Sequence, residues 1–360
     1  MATKRIAHED GVRVTVGVDT HKDFHVARAK DQLGRRLGEL AVPTTPAGYR
    51  QLLVWARRLG HVEAFGLEGT GSYGAALARY LRRESQLVLE VIRPNRQARR
   101  RNGKSDPADA DAAASAVLSG DAAGAPKAGD ATVEMIRVLR VARSTAIKAR
   151  TQASNAMKAL VVTAPEELRE SLRGLSTIKL VRTCARLRPG ELTGPAAAVK
   201  LALRGLAVRH EALEAEVKAL DEQIAPLIAK AAPRLIAIFG VGPESAGALL
   251  VAAGDNPERL RSEAAFSMLC GSSPVAASSG KVTRHRLNRG GDRQANAALY
   301  RIVISRLRSS DTTKEYMARR IAEGKTKKEV IRCLKRYVAR EVYSALTAAS
   351  DVAQAIDAVA

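Results

Sequence analysis

Aromatic residues and cysteines are scarce in this chain of 360 residues. Aromatic side chains make up 3% of the sequence, and proteins that read unpaired bases usually stack them on such rings. Stacking is therefore not expected to be the main mode of recognition, and contacts of Arg and Lys with a nucleic-acid backbone should dominate. The three cysteines, Cys184, Cys270 and Cys333, lie far apart in the sequence and form no CxxC or Cys/His pair, so neither a disulfide framework nor a cysteine-based zinc site is indicated.

The sequence also lacks long apolar runs and has fewer acidic than basic residues. No run approaches the roughly 20 residues that cross a bilayer, and the polar N-terminus MATKRIAHEDG has no signal-peptide core, so we expect a cytoplasmic protein without a membrane partner. Asp and Glu number 37 against 59 Lys and Arg, which gives a net charge of +22. This excess predicts a large polyanionic partner, with nucleic acid as the first candidate. Residues 278–345 hold 18 Lys and Arg against 6 Asp and Glu and should grip phosphates.

The N-terminal part of the chain alternates between strand and helix patterns. Period-two alternation predicts strands in VRVTVGVD, FHVARAKD, RRLGELAV, HVEAFGLE and QLVLEVIRP. Helices are predicted in TPAGYRQLLVWARRLG and SYGAALARYLRRE. The order βββαβαβ is that of an α/β, RNase H-like sheet, in a domain of residues 1–126. The first strand ends at Asp19 and the fourth at Glu68.

The remaining residues favour helices. Leu206, Leu213 and Leu220 recur every seven positions, with Val217 and Ile224 at companion positions. This stripe predicts a helical coiled-coil stalk within 127–232, either a plain hairpin or a dimerisation arm, and the short run favours the hairpin. A mainly α C-terminal domain is predicted at 233–346, with a tail at 347–360. In it, LIAIFGVGPESAGALLVAAGD resembles a helix-hairpin-helix segment, although a helix-turn-helix of core residues fits equally well.

The stretch NGKSDPADAD has two interpretations. As a helix start, it predicts Asp106 as the N-cap, Pro107 as the first helical residue and Asp109 as the third. As a catalytic site, it would join Asp19 and Glu68, because acids on the first strand, the fourth strand and a later helix converge in an RNase H-like sheet. Carboxylates that close together repel one another unless Mg²⁺ or Mn²⁺ neutralises them. Two such ions about 4 Å apart can stabilise a phosphodiester during displacement, and capping does not exclude this role.

A glycine-rich segment offers a competing function. Gly69, Gly71 and Gly74 form a GxGxxG between a strand and a helix, and Glu90 ends the next strand, as in an NAD-binding Rossmann enzyme. Against this, Glu68 would place a carboxylate beside the pyrophosphate, and no further βαβ unit follows. We therefore keep dinucleotide binding as the lesser alternative.

Four blocks of the sequence resemble one known family. GVDTHKDFHVA, LEGTGSYG, KSDPADADA and FSMLCGSSPVAASSGKVTRHRLNRGGDRQANAAL are similar to the blocks of DEDD transposases of the insertion sequence 110 family, the bridge-RNA-guided recombinases. The resemblance covers both halves of the chain. It implies a RuvC-like N-terminal domain that holds Mg²⁺ or Mn²⁺, and a C-terminal serine that attacks DNA. The matching metal-binding and catalytic acids are Asp19, Glu68, Asp106 and Asp109. The matching serine is Ser279, with Ser278 the less favoured choice.

The resemblance also implies three kinds of partner: double-stranded donor and target DNA, a noncoding guide RNA, and further copies of the chain in a dimer or tetramer. Base pairing with the RNA would choose the DNA, which suits the scarcity of aromatic residues. Basic residues beside the two predicted sites should hold phosphates. These are Arg99, Arg100, Arg101, Lys104, Lys281, Arg284, Arg286, Arg289 and Arg293. Asp23 and Asp111 are expected to be bystanders, and His21 and His25 are expected to face solvent rather than bind zinc.

A serine–DNA ester would conserve the free energy of the phosphodiester, so strands could be exchanged and resealed without a nucleotide cofactor. Such a reaction requires the two domains, or domains of two subunits, to meet over the scissile phosphate. No Ser-His-Asp signature is visible, although His285 is near Ser279 in sequence. A Holliday-junction-type nuclease that activates water is the alternative enzyme, and a noncatalytic nucleic-acid binder is the alternative outside enzymology.

Overall fold

The chain forms two compact units in a computed structural model, which describes residues 11–91, 105–122, 124–129, 131–256, 259–280 and 285–357. The first unit comprises Met1–Ala131 and Ala253–Arg261, and the second comprises Thr132–Ala252 and Ser262–Ala360. The sequence does not indicate that 253–261 belongs with the first unit. The side chain of Asn256 explains it, because it donates to the Pro126 carbonyl at 3.0 Å and accepts from the Ala128 N–H at 2.9 Å. The boundaries expected at 126, 232 and 346 remain predictions.

The first unit is built on a five-stranded mixed sheet. Its elements are β1 (Arg13–Thr20), β2 (Phe24–Asp31), β3 (Arg36–Pro43), α1 (Pro46–Leu59), β4 (His61–Leu67), α2 (Ala75–Arg83), β5 (Val88–Glu90) and α3 (Asp106–Leu118). The strands lie in the order β3-β2-β1-β4-β5. β1 is antiparallel to β2 and parallel to β4, and β4 is parallel to β5. The α/β order predicted from the sequence is therefore confirmed, with a fifth strand shorter than expected.

Helices cover both faces of this sheet. Along β1, the alternate residues Val14, Val16 and Val18 are buried in a core that includes Leu52 of α1 and Leu77 of α2. The other face of the sheet carries α3, since side chains alternate between the faces of a strand. Each face of β1 therefore contacts a different set of helices.

Two glycines allow α3 to lie directly on the sheet. Gly17 of β1 and Gly66 of β4 are paired across the strands. A Cβ atom at Gly17 would lie 2.0 Å from the Ala110 carbonyl oxygen and 2.2 Å from the Ala114 nitrogen, and one at Gly66 would lie 2.9 Å from the Ala113 carbonyl oxygen. These positions are backbone atoms of α3, which cannot rotate away as side chains can. Glycine at this pair is a requirement of the packing.

An ion-pair cluster fixes the outer side of the same helix. The Lys30 ammonium donates to Asp111 at 2.9 Å and to the Ser115 hydroxyl at 2.7 Å, and the Arg36 guanidinium donates to Asp111 at 2.8 Å. Burial opposes the ionisation of Asp111, but the hydrogen bonds from Lys30 and Arg36 outweigh it and lower the pKa of this carboxyl. Asp111 thus joins α3 to β2 and β3.

The start of α3 corrects the predicted cap by one residue. The N-cap is Ser105, whose backbone is extended and whose carbonyl accepts from the N–H groups of Ala108 and Asp109 at 2.9 and 3.0 Å. Asp106 is the first residue of the helix rather than the cap. The error arises because Ser and Asp are both favoured caps and proline is tolerated at either of the first helical positions.

The second unit is mainly helical. Its elements are α4 (Thr132–Val162), α5 (Glu166–Leu172), α6 (Thr177–Ala185), α7 (Pro195–Ala231), α8 (Pro233–Ile236), α9 (Pro243–Ala253), α10 (Glu263–Leu269), β6 (Val275–Ala276), β7 (His285–Arg286), α11 (Arg293–Ser309), α12 (Asp311–Ala322) and α13 (Lys327–Asp357). None of the helices in the described ranges is both long and apolar enough to cross a membrane.

Helices α4 and α7 pack against each other as an antiparallel hairpin. The direction follows from two ion pairs, Arg143 with Asp221 and Arg150 with Glu214, because the partner's number falls as the first residue's number rises. The heptad positions Val217 and Ile224 are buried, whereas the leucines of the same stripe are half-buried. The buried positions of the stripe therefore pack within one chain, and a dimerisation role for the stripe stays a prediction.

We expect Gly17→Ala to destabilise the first unit by about 3 kcal/mol or more, since overpacking against immobile backbone is at the upper end of such effects. The measurement is thermal unfolding of the full chain, followed by circular dichroism. Gly124→Ala is the matched control, because a Cβ atom there meets nothing within 4 Å. Equal melting temperatures for the two variants would contradict the packing argument.

Candidate active site

Two acids lie where neighbouring parallel strands end. Val18 of β1 pairs with Leu67 of β4, and Asp19 and Glu68 are the residues that follow each of them. The Thr20 hydroxyl donates to the Glu68 carbonyl at 3.0 Å, which holds the two strand ends together. Since side chains alternate, Asp19 and Glu68 share the sheet face of Gly17 and Gly66, the face that carries α3.

The first turn of α3 brings two more acids to this edge. Asp106 and Asp109 lie in that turn, and Asp109 is buried. The His21 imidazole lies between the strand and the helix, with its Nε2 atom 3.1 Å from Asp19 Oδ2 and 3.4 Å from Asp106 Oδ2. One potential ligand atom from each of Asp19, His21 and Asp106 lies within 4.8 Å of the others.

The electrostatics of this cluster favour a cation. Burial raises the pKa of Asp19, and the charges of Asp109 and Asp106 add to that rise, although His21 opposes it. A divalent ion would relieve the repulsion between the carboxylates. Carboxylate oxygens suit Mg²⁺ and Mn²⁺, and an imidazole nitrogen favours the softer of the two. The donor set of Asp19, His21 and Asp106 therefore fits a divalent metal ion.

His21 is the residue of the cluster that the sequence interpretation missed, because it was expected to face solvent. Its position two residues after Asp19 was the available signal, since alternate residues of an extended chain share a face. The same expectation is wrong for His25, which is fully buried and stacks on Tyr49 with ring centroids 5.8 Å apart. Burial lowers the pKa of His25.

The glycine turn after β4 engages the acid that a dinucleotide site would need. Gly69 takes a left-handed conformation, with φ of 64°. Glu90, the acid that would bind a ribose, accepts a hydrogen bond from the Thr70 hydroxyl of the turn and lies 3.4 Å from Arg259. Both carboxylate oxygens of Glu90 are therefore engaged within the first unit. This leaves the NAD-binding alternative without a free acid to recognise the ribose.

The predicted nucleophile lies in the loop of a short hairpin. Val275 pairs with Arg286 and Ala276 with His285, and the loop between these strands carries Ser279, which is exposed. Gly280 follows it in a left-handed conformation, with φ of 57°. Of the predicted phosphate-binding residues, Arg286, Arg289 and Arg293 are exposed. The others lie outside the described residues, and they are Arg99, Arg100, Arg101, Lys104, Lys281 and Arg284.

The segment predicted as a helix-hairpin-helix or a helix-turn-helix consists of a very short helix, a turn at Gly240 and α9. Its first helix, α8, has four residues, and its turn at Gly240 is occupied by Arg306, which donates to the Phe239 carbonyl at 2.9 Å. The first turn of α9 carries Glu244, which ion-pairs with Arg140, Arg143 and Arg301. The first turn of α9 therefore carries a carboxylate that is already paired with three basic residues.

Two family models match the chain. Residues 16–164 match the N-terminal model of the DEDD transposases of IS110, described as a transposase, and residues 232–318 match a model described as "Transposase IS116/IS110/IS902 family". No curated protein is significantly similar to the chain. Both models describe transposases, so the chain is an enzyme that acts on DNA. It belongs to the insertion sequence 110 family of transposases.

We expect His21→Ala to weaken Mn²⁺ binding by about tenfold and Mg²⁺ binding by less, because the nitrogen ligand contributes more to the softer ion. Isothermal titration calorimetry of the full chain measures both affinities. His61→Ala is the control, since His61 is exposed at the start of β4. An unchanged Mn²⁺ affinity in His21→Ala would remove His21 from the site.

Proposed function

We propose that the first unit is an RNase H-like, RuvC-like catalytic domain of a DNA recombinase. The support is its sheet, in which three antiparallel strands are followed by two parallel ones and the order is β3-β2-β1-β4-β5. The acids end the central parallel strands and begin α3, as that fold requires. The single observation that carries the proposal is the convergence of Asp19, His21 and Asp106 at this edge.

The proposed metal ligands are Asp19, Glu68, Asp106 and Asp109, with His21 as an additional ligand or positioning residue. Bound Mg²⁺ or Mn²⁺ would supply neutralisation of the charge that develops on a phosphodiester. The chain's own contribution is to hold the carboxylates in place: Gly17 and Gly66 seat α3, and Asp111 anchors it through Lys30. The site is therefore positioned by packing before any ion or DNA arrives.

Ser279 is the proposed nucleophile. Its Oγ atom forms a bond to phosphorus while the bond from phosphorus to one deoxyribose oxygen breaks, and the serine proton passes to that oxygen. A hydroxyl of another DNA strand later attacks the same phosphorus and releases the serine. The number of phosphodiester bonds is conserved, so no nucleotide cofactor is needed. Support comes from the match of the C-terminal block to the family and from the exposure of Ser279 in its loop.

A noncoding bridge RNA is the proposed guide, with donor and target DNA and further copies of the chain as the other partners. The resemblance to the family supports the RNA and the dimer or tetramer. The net charge of +22 supports contact with long stretches of phosphate, which would take place in the cytoplasm. Delegating sequence choice to base pairing leaves the protein to bind backbone and shape.

A covalent intermediate separates recombination from hydrolysis. We expect the wild-type chain to form a denaturation-resistant adduct with a cleaved DNA substrate in Mn²⁺, and Ser279→Ala to form none. Denaturing gel electrophoresis of labelled DNA measures the adduct. Asp106→Asn should also abolish it, through loss of the metal ligand.

Ser278→Ala is the matched control for that experiment, because it changes the neighbouring loop serine. If Ser278→Ala abolishes the adduct and Ser279→Ala does not, the nucleophile is Ser278. If Ser279→Ala cuts DNA cleanly with water as the nucleophile, the chain is a metal-dependent nuclease. If the wild-type chain neither forms an adduct nor cuts DNA, and Asp106→Asn binds DNA as tightly as the wild type, the chain is a noncatalytic binder.

The guide RNA is testable without knowing its sequence. We expect the chain purified from its host to carry one predominant noncoding RNA, with segments complementary to the DNA that flanks the element. Sequencing of the co-purified RNA identifies it, and ribonuclease treatment should abolish recombination. Recombination that survives complete removal of RNA would exclude guidance.

A further inference from the structure

A large cavity opens in the second unit. Its volume is about 1330 Å³, and its lining comes from α11, α12, α13 and the β6–β7 hairpin. Pockets for drug-sized ligands typically measure roughly 300–1,000 Å³. The size therefore suits several units of a polymer better than one small molecule.

The lining of this cavity is strongly basic. Among the described residues, nine Lys and Arg side chains contribute to it, against one carboxylate, Glu329. Glu329 accepts hydrogen bonds from the Thr326 N–H at 2.9 Å and the Thr326 hydroxyl at 2.7 Å, which lower its pKa. Its charge is thus engaged at the start of α13, and the cavity keeps a net positive charge that favours a polyanion.

Most of these basic side chains have no ion pair with a carboxylate of the described residues. Arg286, Arg289, Arg293 and Arg332 form no ion pair with any carboxylate of the described ranges. Lys335 donates to the Asn296 side chain at 2.7 Å, and burial, with the charge of Arg332, lowers its pKa. Repulsion among these cations would fall when an anion binds, because each phosphate can accept from several of them.

Tyrosines are concentrated in the same place. Three of the seven tyrosines of the chain, Tyr300, Tyr316 and Tyr337, line the cavity. Tyr300 is 47% exposed and Tyr337 is 46% exposed. The rings of Tyr316 and Tyr337 meet edge to face at 5.7 Å, and the Arg340 guanidinium lies 5.9 Å from the Tyr337 centroid. We name this feature, with its nine basic residues, the tyrosine cavity.

Aromatic rings among arginines are typical of sites for unpaired nucleotides. A nucleotide base can stack on a tyrosine ring only if one face of the base is free. In a duplex the neighbouring base pairs cover both faces of each base. A surface that contacted duplex backbone alone would need the arginines but not the exposed rings. The two observations together favour a single strand over a duplex.

We infer that the tyrosine cavity binds unpaired nucleotides of a DNA or RNA strand, with phosphates at its arginines and bases stacked on Tyr300 or Tyr337. The inference rests on the proposed function only in taking nucleic acid as the ligand. It adds to that function a strand-binding site that uses neither Ser279 nor the acidic cluster. Unpaired DNA strands formed by cleavage and unpaired segments of a guide RNA both offer the free bases and phosphates that this site would bind.

The test is a binding experiment with the full chain in EDTA, so that no cleavage takes place. The probes are a fluorescently labelled oligothymidine strand, the matching oligouridine strand, an abasic DNA strand of equal length, and a duplex of that length. We expect Tyr300→Leu and Tyr337→Leu to weaken binding of a base-bearing strand by roughly fivefold or more, the lower end of one stacking contact. Binding of the abasic strand and the duplex should not change, and Tyr→Phe at either position should retain wild-type affinity.

Two further variants serve as controls. Tyr73→Leu removes an exposed tyrosine of the first unit and should leave all affinities unchanged. Arg293→Gln should weaken binding of every probe by a similar factor and reduce the salt dependence, because it removes a phosphate contact. A larger loss with the thymidine strand than with the uridine strand assigns the site to DNA, and the reverse assigns it to RNA.

The inference is overturned if the tyrosine variants bind all base-bearing strands normally, or if they lose the abasic strand and the duplex to the same extent. Its outcome is independent of the serine adduct. Absence of the adduct with intact tyrosine dependence would reject the recombinase chemistry and keep the strand-binding site. An adduct without tyrosine dependence would do the opposite.

Discussion

The contact between α3 and the paired glycines of β1 and β4 determines what the first unit can do. Because Gly17 and Gly66 have no side chains, the helix rests on the strand backbone, with Ala110 and Ala113 facing the sheet. This contact brings the first turn of α3 to the carboxyl end of β1. A helix seated on larger residues would lie farther from the sheet, and the acids of helix and strand would be separated by the same displacement. The position of the candidate active site thus depends on glycine at residues 17 and 66, where any side chain would push α3 away from the sheet.

Helix α3 also shows how one element can carry acids with opposite roles. Asp111 has three basic partners among the described residues, Arg28, Lys30 and Arg36, and its charge is balanced inside the fold. Asp106, five residues earlier, contacts only the His21 imidazole among the ion pairs of the described residues, beside the buried Asp19. Carboxylates that lie close together without a basic partner are costly in a folded chain unless a bound ligand supplies the opposite charge. That imbalance supports a cation at the strand ends.

The sequence predicted the strands of the first unit because alternation determines which face each residue occupies, and the ends of parallel strands then place Asp19 and Glu68 at one edge. It did not resolve the start of α3, since Ser105 and Asp106 have similar cap preference. It also could not indicate that Arg259 lies 3.4 Å from Glu90, because 169 residues separate them and no local pattern records such a contact. His21 was missed because the chain leaves the strand at Thr20, where alternation is a weaker guide.

The second unit shows why composition alone misjudges recognition. An aromatic content of 3% predicts little stacking if the rings are spread evenly, but the fold brings Tyr300, Tyr316 and Tyr337 to one cavity from three different helices. The acids are distributed just as unevenly. Glu244 binds three arginines where α4, α9 and α11 meet, while the cavity contains a single carboxylate that is engaged by Thr326. Acids thus neutralise arginines at the helix junction, whereas most of the cations that line the cavity form no ion pair within the described residues. Part of the net charge of +22 is therefore concentrated beside the rings of this cavity rather than spread evenly over the chain.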